Sequence, residues 1–544
     1  MTTGYARSAR VNLAALAAER AAESPERIAL QEAFGERRTL SWSGLDAAAD
    51  RFAGGMSGLG LVAGHRVAIA LTNRLEFVVA YLGSVRAGLV AVPVNPRAAT
   101  GEMVRMLADS GSRIVVAGPT TAPRVREAVN DLAHTRGDID LELPERTPVQ
   151  RVVVVDAVPV GDEIAWSQLL DQPAGPVVSP ADPEALAVLL YTSGTSGSPR
   201  AAMLRHRSLL ANIEQASSIE PPPVRPDDVV LGLLPLFHVY GLNCILGLTL
   251  ATGARLVLVE RFDPDGTLEL IRDLGVTNVP VAPPVIAAWS GREQLRESLG
   301  GVRLVLSGAG PLDSSLAEEF VDAAGVPIEQ GYGLTETSPI VTSTLTSSAA
   351  RAGAKVEAGS VGGPIPGVEI RILDVTGHPA RPGDPGEIGV RGDNVFSGYW
   401  PDGAEGPAED GWYATGDVGL IGPDGDLFLV DRLRELVIVS GFNVYPSEVE
   451  DVVAEVSGVG EVAVIGVPDP DTGEAVVVLV VADGADRRVP DLVDAIRHHC
   501  ERRLARFKWP REITVVEGLP HSATGKVAKG RLRAQARRDA LGLS

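Results

Sequence analysis

Cysteine, membrane-length apolar runs and lysine are all scarce in this chain of 544 residues. Its two cysteines, Cys244 and Cys500, lie far apart without a CxxC partner, which argues against a disulfide framework or a structural zinc site. The strongly apolar run 475–482 is much shorter than the roughly 18 residues that a membrane span needs. The N-terminal residues lead into an amphipathic helix rather than a signal-peptide core. We therefore expect a soluble protein of the reducing cytoplasm.

The charge balance argues against a nucleic-acid-binding protein. The net charge is −21, so the surface as a whole repels phosphate polymers and a nucleic-acid partner is not expected. Residues 501–544 depart from this balance with eleven basic and four acidic side chains. This segment fits a solvated basic helix, and it equally fits a cap over a polyphosphate or an anionic cofactor.

Only four of the 49 basic residues are lysines, at positions 355, 508, 526 and 529, and the rest are arginines. Such a preference for arginine typically reflects the base composition of the gene rather than a chemical requirement of the protein. Each remaining lysine is therefore of interest.

The order of apolar segments predicts an α/β protein with two domains. Short apolar strands alternate with helical patterns through the first third and return between 229 and 306, which predicts parallel-type sheets with flanking helices. From about 360 to 430, short strands separated by Gly, Pro and Asp turns predict a β-barrel-like part. A shorter α+β pattern follows. We place the boundary so that a large domain covers 1–431 and a small domain covers 432–544.

A run of glycine, serine and threonine follows the predicted strand 185–190. It comprises Thr192, Ser193, Gly194, Thr195, Ser196, Gly197 and Ser198, and Arg200 follows two residues later. Backbone N–H groups and short hydroxyls in such a run can surround phosphate oxygens, although a flexible Ser/Gly turn has the same composition. The run matches neither a Walker A loop nor a dinucleotide fingerprint, and Gly308-Ala309-Gly310 does not complete one either. We expect a helix after the run, with Arg205 in it.

The segment 330–339 combines groups suited to a nucleotide and a metal ion. Tyr332 lies between Gly331 and Gly333, and we expect an exposed ring that can stack on a base. Thr335 adds a hydroxyl, and Glu336 adds a hard oxygen ligand for Mg²⁺. A structural turn would explain the glycines but not the Thr-Glu-Thr sequence.

Two further motifs lie towards the C-terminus. Asp417 and Arg432 are expected at neighbouring strand ends, where a carboxylate and a guanidinium can hold the two hydroxyls of a ribose. Lys526 ends the small-residue loop 521–526, where a mobile point charge suits charge that develops on phosphate. Each of these residues alone would equally fit a turn or a solvated surface.

Taken in order, these motifs resemble the adenylate-forming superfamily of acyl-CoA synthetases, luciferases and nonribosomal adenylation domains. The chain looks most like a bacterial fatty acyl-CoA synthetase. The resemblance spans nearly the whole chain and rests on six segments: 191–200, 234–238, 331–339, 412–417, 431–432 and 524–526. It implies a large domain that binds the acid and ATP, and a small mobile domain that carries a catalytic lysine.

The resemblance also implies a role for each matched residue. Thr192 to Gly197, with Arg200, would hold the ATP phosphates, and Glu336 would hold Mg²⁺ with Thr192. Thr335 would contact the α-phosphate, His238 would lie beside the acyl carboxylate, and Lys526 would serve adenylation. The adenine site would comprise Gly308, Ala309, Gly310, Gly331, Tyr332 and Gly333. The other implied groups are the ribose pair Asp417 and Arg432, the hinge Arg434, and the CoA-binding residues Ser440, Gly441 and Phe442.

The activity implied is ATP-dependent ligation of a carboxylic acid to CoA through an acyl-AMP, with ATP, Mg²⁺ and CoA required. The stretch between Ser338 and Gly359 lacks the extra segment typical of acyl-AMP ligases, which favours CoA as the acceptor. A medium- or long-chain fatty acid is the favoured substrate, with an aromatic or branched acid as the alternative. A separate carrier protein as acceptor and a peripheral membrane contact stay open, and the sequence specifies no oligomeric state. A catalytically silent nucleotide-binding protein would not need Glu336 and Lys526 together.

Two segments depart from the usual pattern of the superfamily, the end of the phosphate loop and the hinge. Arg200 and Ala201 stand where a lysine and then a glycine are usual. Arg434 stands where Lys or Asp is commoner. Both fit the preference of this chain for arginine.

Overall fold

A computed structural model describes most of the chain. The described residues are 11–33, 35–134, 149–172, 177, 179, 181–192, 200–310, 312–351, 353, 355–374, 376–432, 435–439, 442–469, 472–483, 489–504, 506–521 and 526–540. They belong to two compact units. The larger spans 1–192, 199–369 and 390–413, and the smaller spans 193–198, 370–389 and 414–544.

The larger unit alternates strands with helices. Its strands are β1 (Ile28–Glu32), β2 (Thr39–Ser41), β3 (Arg66–Ala70), β4 (Val90–Pro93), β5 (Ile114–Ala117), β6 (Arg151–Val154), β7 (Ile164–Ala165), β8 (Leu186–Thr192), β9 (Arg200–Arg205), β10 (Val229–Gly232), β11 (Arg255–Leu258), β12 (Asn278–Val281), β13 (Leu304–Ser307), β14 (Ile328–Gly333), β15 (Ile340–Ser343) and β16 (Gly363–Pro364). Its helices are α1 (Ala15–Glu23), α2 (Trp42–Gly58), α3 (Leu75–Arg86), α4 (Thr100–Ser110), α5 (Ala122–His134), α6 (Trp166–Leu170), α7 (His206–Ser217), α8 (Leu248–Thr252), α9 (Pro264–Leu274), α10 (Pro283–Trp289), α11 (Leu295–Ser298), α12 (Ser314–Ala324) and α13 (Ser348–Arg351). A π-helix covers Tyr240–Gly247, and 3-10 turns cover Thr335–Thr337 and Thr344–Thr346.

Two sheets organise this unit. One has the strand order β7-β6-β5-β3-β4-β8-β9, and the other has the order β16-β15-β14-β13-β12-β10-β11-β1-β2. The inner pairs, such as β3–β5 and β12–β13, are parallel, whereas β8–β9 and β14–β15 are antiparallel. The parallel strands are mostly apolar and buried, as expected for a sheet covered on both faces. The predicted βα rhythm is confirmed.

The smaller unit contains two further sheets. Its elements are β17 (Glu369–Leu373), β18 (Gly386–Arg391), β19 (Tyr413–Ile421), β20 (Leu427–Arg432), β21 (Val437–Val439), β22 (Phe442–Val444), β23 (Val459–Asp469), β24 (Gly473–Ala482), β25 (Glu512–Val516), α14 (Pro446–Ala454), α15 (Val489–Arg503), the 3-10 turn Arg506–Lys508 and α16 (Lys529–Ala540). A four-stranded sheet has the order β17-β18-β19-β20, and the C-terminal sheet has the order β22-β21-β24-β23 with β25 parallel to β24. Helices α14 and α15 contribute Val449, Val453 and Ile496 to the valine-rich core of the C-terminal sheet. The predicted barrel-like and α+β parts are confirmed.

The compact units and the predicted domains are divided at different places. Residues 370–389 and 414–431 belong to the same compact unit as the C-terminal residues, and their strands form a sheet of their own. The predicted boundary between 431 and 432 concerns which part of the chain moves, and it stays a prediction. One local expectation is wrong: Arg205 is the last residue of β9, and α7 begins at His206, because β8 and β9 pair as an antiparallel hairpin.

The described helices differ from membrane spans in length and composition. None of them combines the length and the apolar character that crossing a bilayer requires.

The buried imidazole of His206 makes the free energy of unfolding depend on pH. Its Nδ1 accepts a hydrogen bond from the Leu13 backbone N–H at 3.2 Å, and burial lowers the pKa of His206 to about 4. The unfolded chain takes up a proton near pH 6.5 and the folded chain does not. The free energy of unfolding should therefore fall as the pH drops from about 6.5 to about 4, by roughly 3 kcal/mol in full.

A substitution can isolate the contribution of His206 to this pH dependence. His206→Asn keeps an acceptor for Leu13 but does not titrate. Between pH 7 and pH 5 the wild-type protein should lose about 2 kcal/mol more unfolding free energy than the variant, measured by urea unfolding. Identical pH dependence of the two proteins would show that His206 is not held neutral.

Candidate active site

The antiparallel pairing of β8 and β9 fixes the ends of the Gly/Ser/Thr run. Thr192 ends β8 directly opposite Arg200, the first residue of β9, and its hydroxyl donates to the Arg200 carbonyl at 3.5 Å. Ser193, Gly194, Thr195, Ser196 and Gly197 lie outside the described residues. The two ends of the predicted phosphate loop are therefore adjacent.

The predicted adenine-binding segments lie side by side at one sheet edge. Ser307 at the end of β13 pairs with Gln330 in β14, so Gly308–Gly310, which follow β13, begin at the same level as Gly331–Gly333, the last residues of β14. This is the carboxyl edge of a parallel pair, where open α/β sheets bind ligands. Ala309 has φ +66°, an αL conformation that non-glycine residues rarely adopt and that occurs preferentially at functional sites.

The expectation of an exposed tyrosine at this edge is wrong. Tyr332 is 8% exposed because it lies within β14, where its N–H donates to the Thr342 hydroxyl of β15 at 3.3 Å. The flanking glycines serve close packing of the backbone. A Cβ on Gly333 would lie 1.8 Å from the Pro339 carbonyl oxygen.

The Thr-Glu-Thr sequence forms a rigid 3-10 turn after β14. The Asn394 side chain donates to the Thr337 carbonyl at 2.8 Å, and the Asn243 side chain donates to the Ser338 carbonyl at 2.6 Å. Thr335 is half-buried and Glu336 is buried within this turn. The turn thus presents a hydroxyl and a carboxylate on a backbone fixed from two sides.

Sequence reasoning missed Tyr399, which contacts the Glu336 carboxylate. The Tyr399 hydroxyl donates to Glu336 Oε1, and the Arg200 guanidinium carbon lies 3.9 Å from the centre of the tyrosine ring. Burial and the Glu336 charge raise the pKa of Tyr399, and the carboxylate of Glu405 raises the pKa of Arg200. Because these residues are far apart in the sequence, only the fold reveals the contact.

The π-helix that follows His238 lies next to Gly308. The Nδ1 atom of His238 accepts from the Tyr240 N–H at 3.3 Å. The Tyr240 hydroxyl donates to the Leu306 carbonyl at 3.2 Å, and its ring packs against Gly308. The π-helix is buried throughout, and burial raises the pKa of Cys244 in it to about 12, so this thiol stays neutral. π-Helical segments are frequent at functional sites.

The contact between Gly308 and Tyr240 leads to a stability and binding prediction. A Cβ on Gly308 would lie 2.7 Å from Tyr240 Cε1, so Gly308→Ala must displace a buried ring, at a cost of about 1–3 kcal/mol. We expect a lower melting temperature and higher KM values for acid and ATP. Gly301→Ala is the matched control because nothing lies within 4 Å of the added carbon. Equal behaviour of the two variants would contradict the close packing.

In the smaller unit, Asp417 and Arg432 are direct cross-strand partners. Asp417 in β19 faces Arg432 in β20. Gly416 has φ +74°, and its N–H donates to Glu387 Oε1 at 3.1 Å, which fixes the backbone just before Asp417. Arg432 ends β20 as expected, whereas Asp417 lies in the middle of β19, so the expectation of two strand ends is wrong for Asp417. The role of the pair in binding ribose hydroxyls stays a prediction.

The described lysines have different environments. Lys529 is half-buried between Glu450 at 2.8 Å and Glu435 at 3.2 Å, and Lys508 pairs with Glu448. Lys526 is exposed, next to the bridge between His521 and Val527. An exposed lysine next to this β-bridge could serve as a mobile positive charge.

The remaining predicted residues are only partly described. Phe442 begins β22 and pairs with Val439 of β21. Arg434, Ser440 and Gly441 lie outside the described residues.

The donor set fits magnesium that arrives with ATP rather than a metal held by protein alone. The described residues contain no group of three or more His, Cys, Asp or Glu that could hold a metal ion. Glu336 supplies one buried carboxylate, and Thr192 supplies a hydroxyl. Mg²⁺ commonly takes one or two protein carboxylates together with phosphate oxygens and water, so these residues fit the ion.

Comparison with known proteins identifies the family. The model of the AMP-binding enzyme family matches residues 17–400, and the model of the AMP-binding enzyme C-terminal domain matches residues 448–526. The chain belongs to the AMP-binding enzyme family, which confirms the resemblance.

Individual relatives narrow the class. A long-chain-fatty-acid–CoA ligase of Salmonella typhimurium is 34% identical over 502 residues, covering 88% of this chain and 87% of that protein. 4-Coumarate–CoA ligase 5 of Oryza sativa subsp. japonica is 33% identical, covering 95% and 93%. The crystal structure of ATP-bound MatB from Rhodopseudomonas palustris matches with a TM-score of 0.81 at 30% identity, covering 96% of this chain and 99% of that chain. The protein is an AMP-forming acid–thiol ligase.

Proposed function

We propose that this ligase activates a medium- or long-chain fatty acid as acyl-AMP, releases pyrophosphate and transfers the acyl group to CoA. The observation that carries the proposal is the fixed turn with Thr335 and Glu336 beside the ends of the Gly/Ser/Thr run. Tyr399 joins these segments by contacting both Glu336 and Arg200. The groups proposed to bind phosphate, at the β8–β9 hairpin of one sheet, thus lie close to the group proposed to bind metal, in the turn after β14 of the other sheet.

The first half-reaction needs charge neutralisation because a carboxylate must attack the negatively charged α-phosphate. In this proposal Thr192–Gly197 and Arg200 hold the phosphates, Thr335 contacts the α-phosphate, and Lys526 offsets the charge between the reactants. Magnesium, held by Glu336 and Thr192, would supply further charge neutralisation. The other ATP-binding residues are proposed to be Gly308, Ala309, Gly310, Gly331, Tyr332, Gly333, Asp417 and Arg432.

The second half-reaction breaks the acyl–phosphate bond and forms the thioester, with AMP as the leaving group. His238 is proposed to lie beside the acyl carboxylate and to gate the approach of the thiol. Ser440, Gly441 and Phe442 are proposed to line the path of the pantetheine arm. Residues 432–544 would rotate about Arg434 between the two half-reactions, so that Lys526 leaves and the thiol enters.

Some observations favour a fatty acid as the substrate, and others favour an aromatic acid. The fatty-acid proposal rests on the sequence Ser338-Pro339-Ile340-Val341, which resembles fatty acyl-CoA synthetases, and on the relative named for long-chain fatty acids. An aromatic acid is the second candidate. The Tyr240 ring packed against Gly308 supplies an aromatic wall, and the rice relative is named for 4-coumarate.

An acid panel tests both candidates. Octanoate, palmitate, 4-coumarate and benzoate are each supplied with Mg·ATP, with and without CoA, and AMP, pyrophosphate and thioester are quantified. Fatty acids should give the highest kcat/KM, and thioester should form only with CoA. A preference for 4-coumarate would replace the fatty-acid proposal, and release of pyrophosphate without thioester would favour a carrier-protein acceptor. The cytoplasmic location remains a prediction from the sequence, and a peripheral membrane contact stays open.

A further inference from the structure

The Glu336 carboxylate is oriented by groups from a distant part of the chain. Its backbone carbonyl accepts from the Phe396 N–H at 2.9 Å, and its Oε1 accepts from the Tyr399 hydroxyl. Glu336 is 8% exposed, so these contacts are shielded from water. The segment 396–399 thus fixes both the main chain and the side chain of Glu336.

Tyr399 is itself held on several sides. The backbone around it pairs with β9: the Met203 N–H donates to the Gly398 carbonyl at 3.0 Å, and the Trp400 N–H donates to the Ala201 carbonyl at 2.8 Å. The Phe396 ring meets the Tyr399 ring edge-on, with 5.1 Å between the ring centres. These contacts leave the tyrosine ring little freedom, so the direction of its hydroxyl is determined by the fold.

Arg200 covers the face of the Tyr399 ring. Its guanidinium carbon is 3.9 Å from the ring centre, and its Nη1 donates to Glu405 Oε2 at 2.8 Å. A planar guanidinium can stack on a ring and pair with a carboxylate at the same time, which the compact ammonium of lysine does less well. The arginine at this position therefore has a structural consequence, because it connects the start of β9 to the tyrosine that contacts Glu336.

The chemistry of the donor matters for a metal ligand. A neutral hydroxyl fixes the orientation of a carboxylate without cancelling its charge, whereas a paired Arg or Lys would compete with the cation. Hydrogen bonds to a ligating carboxylate commonly contribute about 10–100-fold to metal affinity. The neutral Tyr399 hydroxyl is therefore suited to orient a carboxylate that binds a metal ion.

We infer that Tyr399 is a positioning residue, which orients Glu336 for the metal ion that accompanies ATP, and that Arg200 holds Tyr399 in place. This inference rests on the proposed function, in which Glu336 is a magnesium ligand. It assigns Tyr399 no contact with the reacting atoms.

The test measures metal-linked nucleotide binding rather than turnover. Calorimetry gives the affinity for α,β-methylene ATP with saturating Mg²⁺ and with EDTA, and the ratio of the two affinities is the metal enhancement. Tyr399→Phe should reduce this enhancement about 10-fold and leave the affinity in EDTA unchanged. The half-saturating Mg²⁺ concentration for pyrophosphate exchange should rise by a similar factor.

Tyr191→Phe is the matched control. It also removes a tyrosine hydroxyl that donates to a carboxylate, here Asp109 at 2.7 Å, but that carboxylate has no proposed metal. Its enhancement should equal that of the wild-type protein. Arg200→Lys is a second variant that keeps the positive charge and removes the planar stack, and it should lower the enhancement about threefold, less than Tyr399→Phe does.

The outcomes separate this inference from the proposed function. An unchanged enhancement in Tyr399→Phe, or an equal loss with and without metal, overturns the positioning role while the ligase proposal stands. If Tyr399→Phe does not fold, an unchanged enhancement in Arg200→Lys overturns the inference. Absence of any metal enhancement in the wild-type protein overturns both.

Discussion

Replacing Lys526 by alanine should slow adenylation by about 10²–10³-fold, which corresponds to roughly 3–4 kcal/mol of transition-state stabilisation. Lys526 is exposed beside the His521–Val527 bridge, so its removal should cost little packing. In the proposed mechanism the lysine has left the site before the thiol enters. Thioester formation from pre-made acyl-AMP should therefore be nearly normal in the same variant.

Two further variants sharpen this prediction. Lys526→Arg should not restore adenylation fully, because a planar fork does not replace a compact ammonium at a crowded phosphate. Lys355→Ala is the matched control, since Lys355 is 82% exposed and pairs only at the surface with Glu318. The two half-reactions are measured separately, by pyrophosphate exchange and by thioester yield. Comparable damage to both by Lys526→Ala would mean that the lysine supports the fold instead.

Replacing Glu336 by alanine should lower adenylation about 10²-fold at low Mg²⁺ and should be partly rescued by raising the Mg²⁺ concentration. The variant lacks one hard oxygen ligand, so the ion binds more weakly while phosphate oxygens and water still hold it. The measurement is the rate of pyrophosphate exchange as a function of free Mg²⁺. A wild-type Mg²⁺ dependence in the variant would make Glu336 structural.

Asp109→Asn provides the comparison for Glu336. Asp109, like Glu336, accepts a hydrogen bond from a tyrosine hydroxyl, but it lies on α4 and has no proposed metal. Its Mg²⁺ dependence should match that of the wild-type protein. A shift as large as that of Glu336→Ala would mean that loss of packing, and not loss of a ligand, explains both variants.

Much of the architecture could be predicted because its signals are local. Strands β3, β5 and β10 are short apolar segments bounded by turns, and their burial on both faces is what such composition predicts. The pairing of Asp417 with Arg432 across two strands could also be predicted, because a short turn joins those strands. These features depend on neighbours within about twenty residues in the sequence, so single-sequence reasoning reaches them.

The features that sequence reasoning missed depend on long-range packing. Tyr399 contacts Glu336 and Arg200 only because residues 397–400 pair with β9, and no local pattern indicates that pairing. The ring of Tyr332 was expected to be exposed because glycines flank it, yet pairing of β14 with β15 buries it. In both cases the tertiary neighbours, rather than the residue types, decide the environment.

The central claim is that the enzyme forms an acyl-adenylate before it uses CoA. It is tested most directly by ATP–pyrophosphate exchange in the absence of CoA, with a fatty acid as the only other substrate. The account predicts acid-dependent and magnesium-dependent exchange without CoA, reduced about 10²–10³-fold in Lys526→Ala. Exchange that appears only when CoA is present would contradict it.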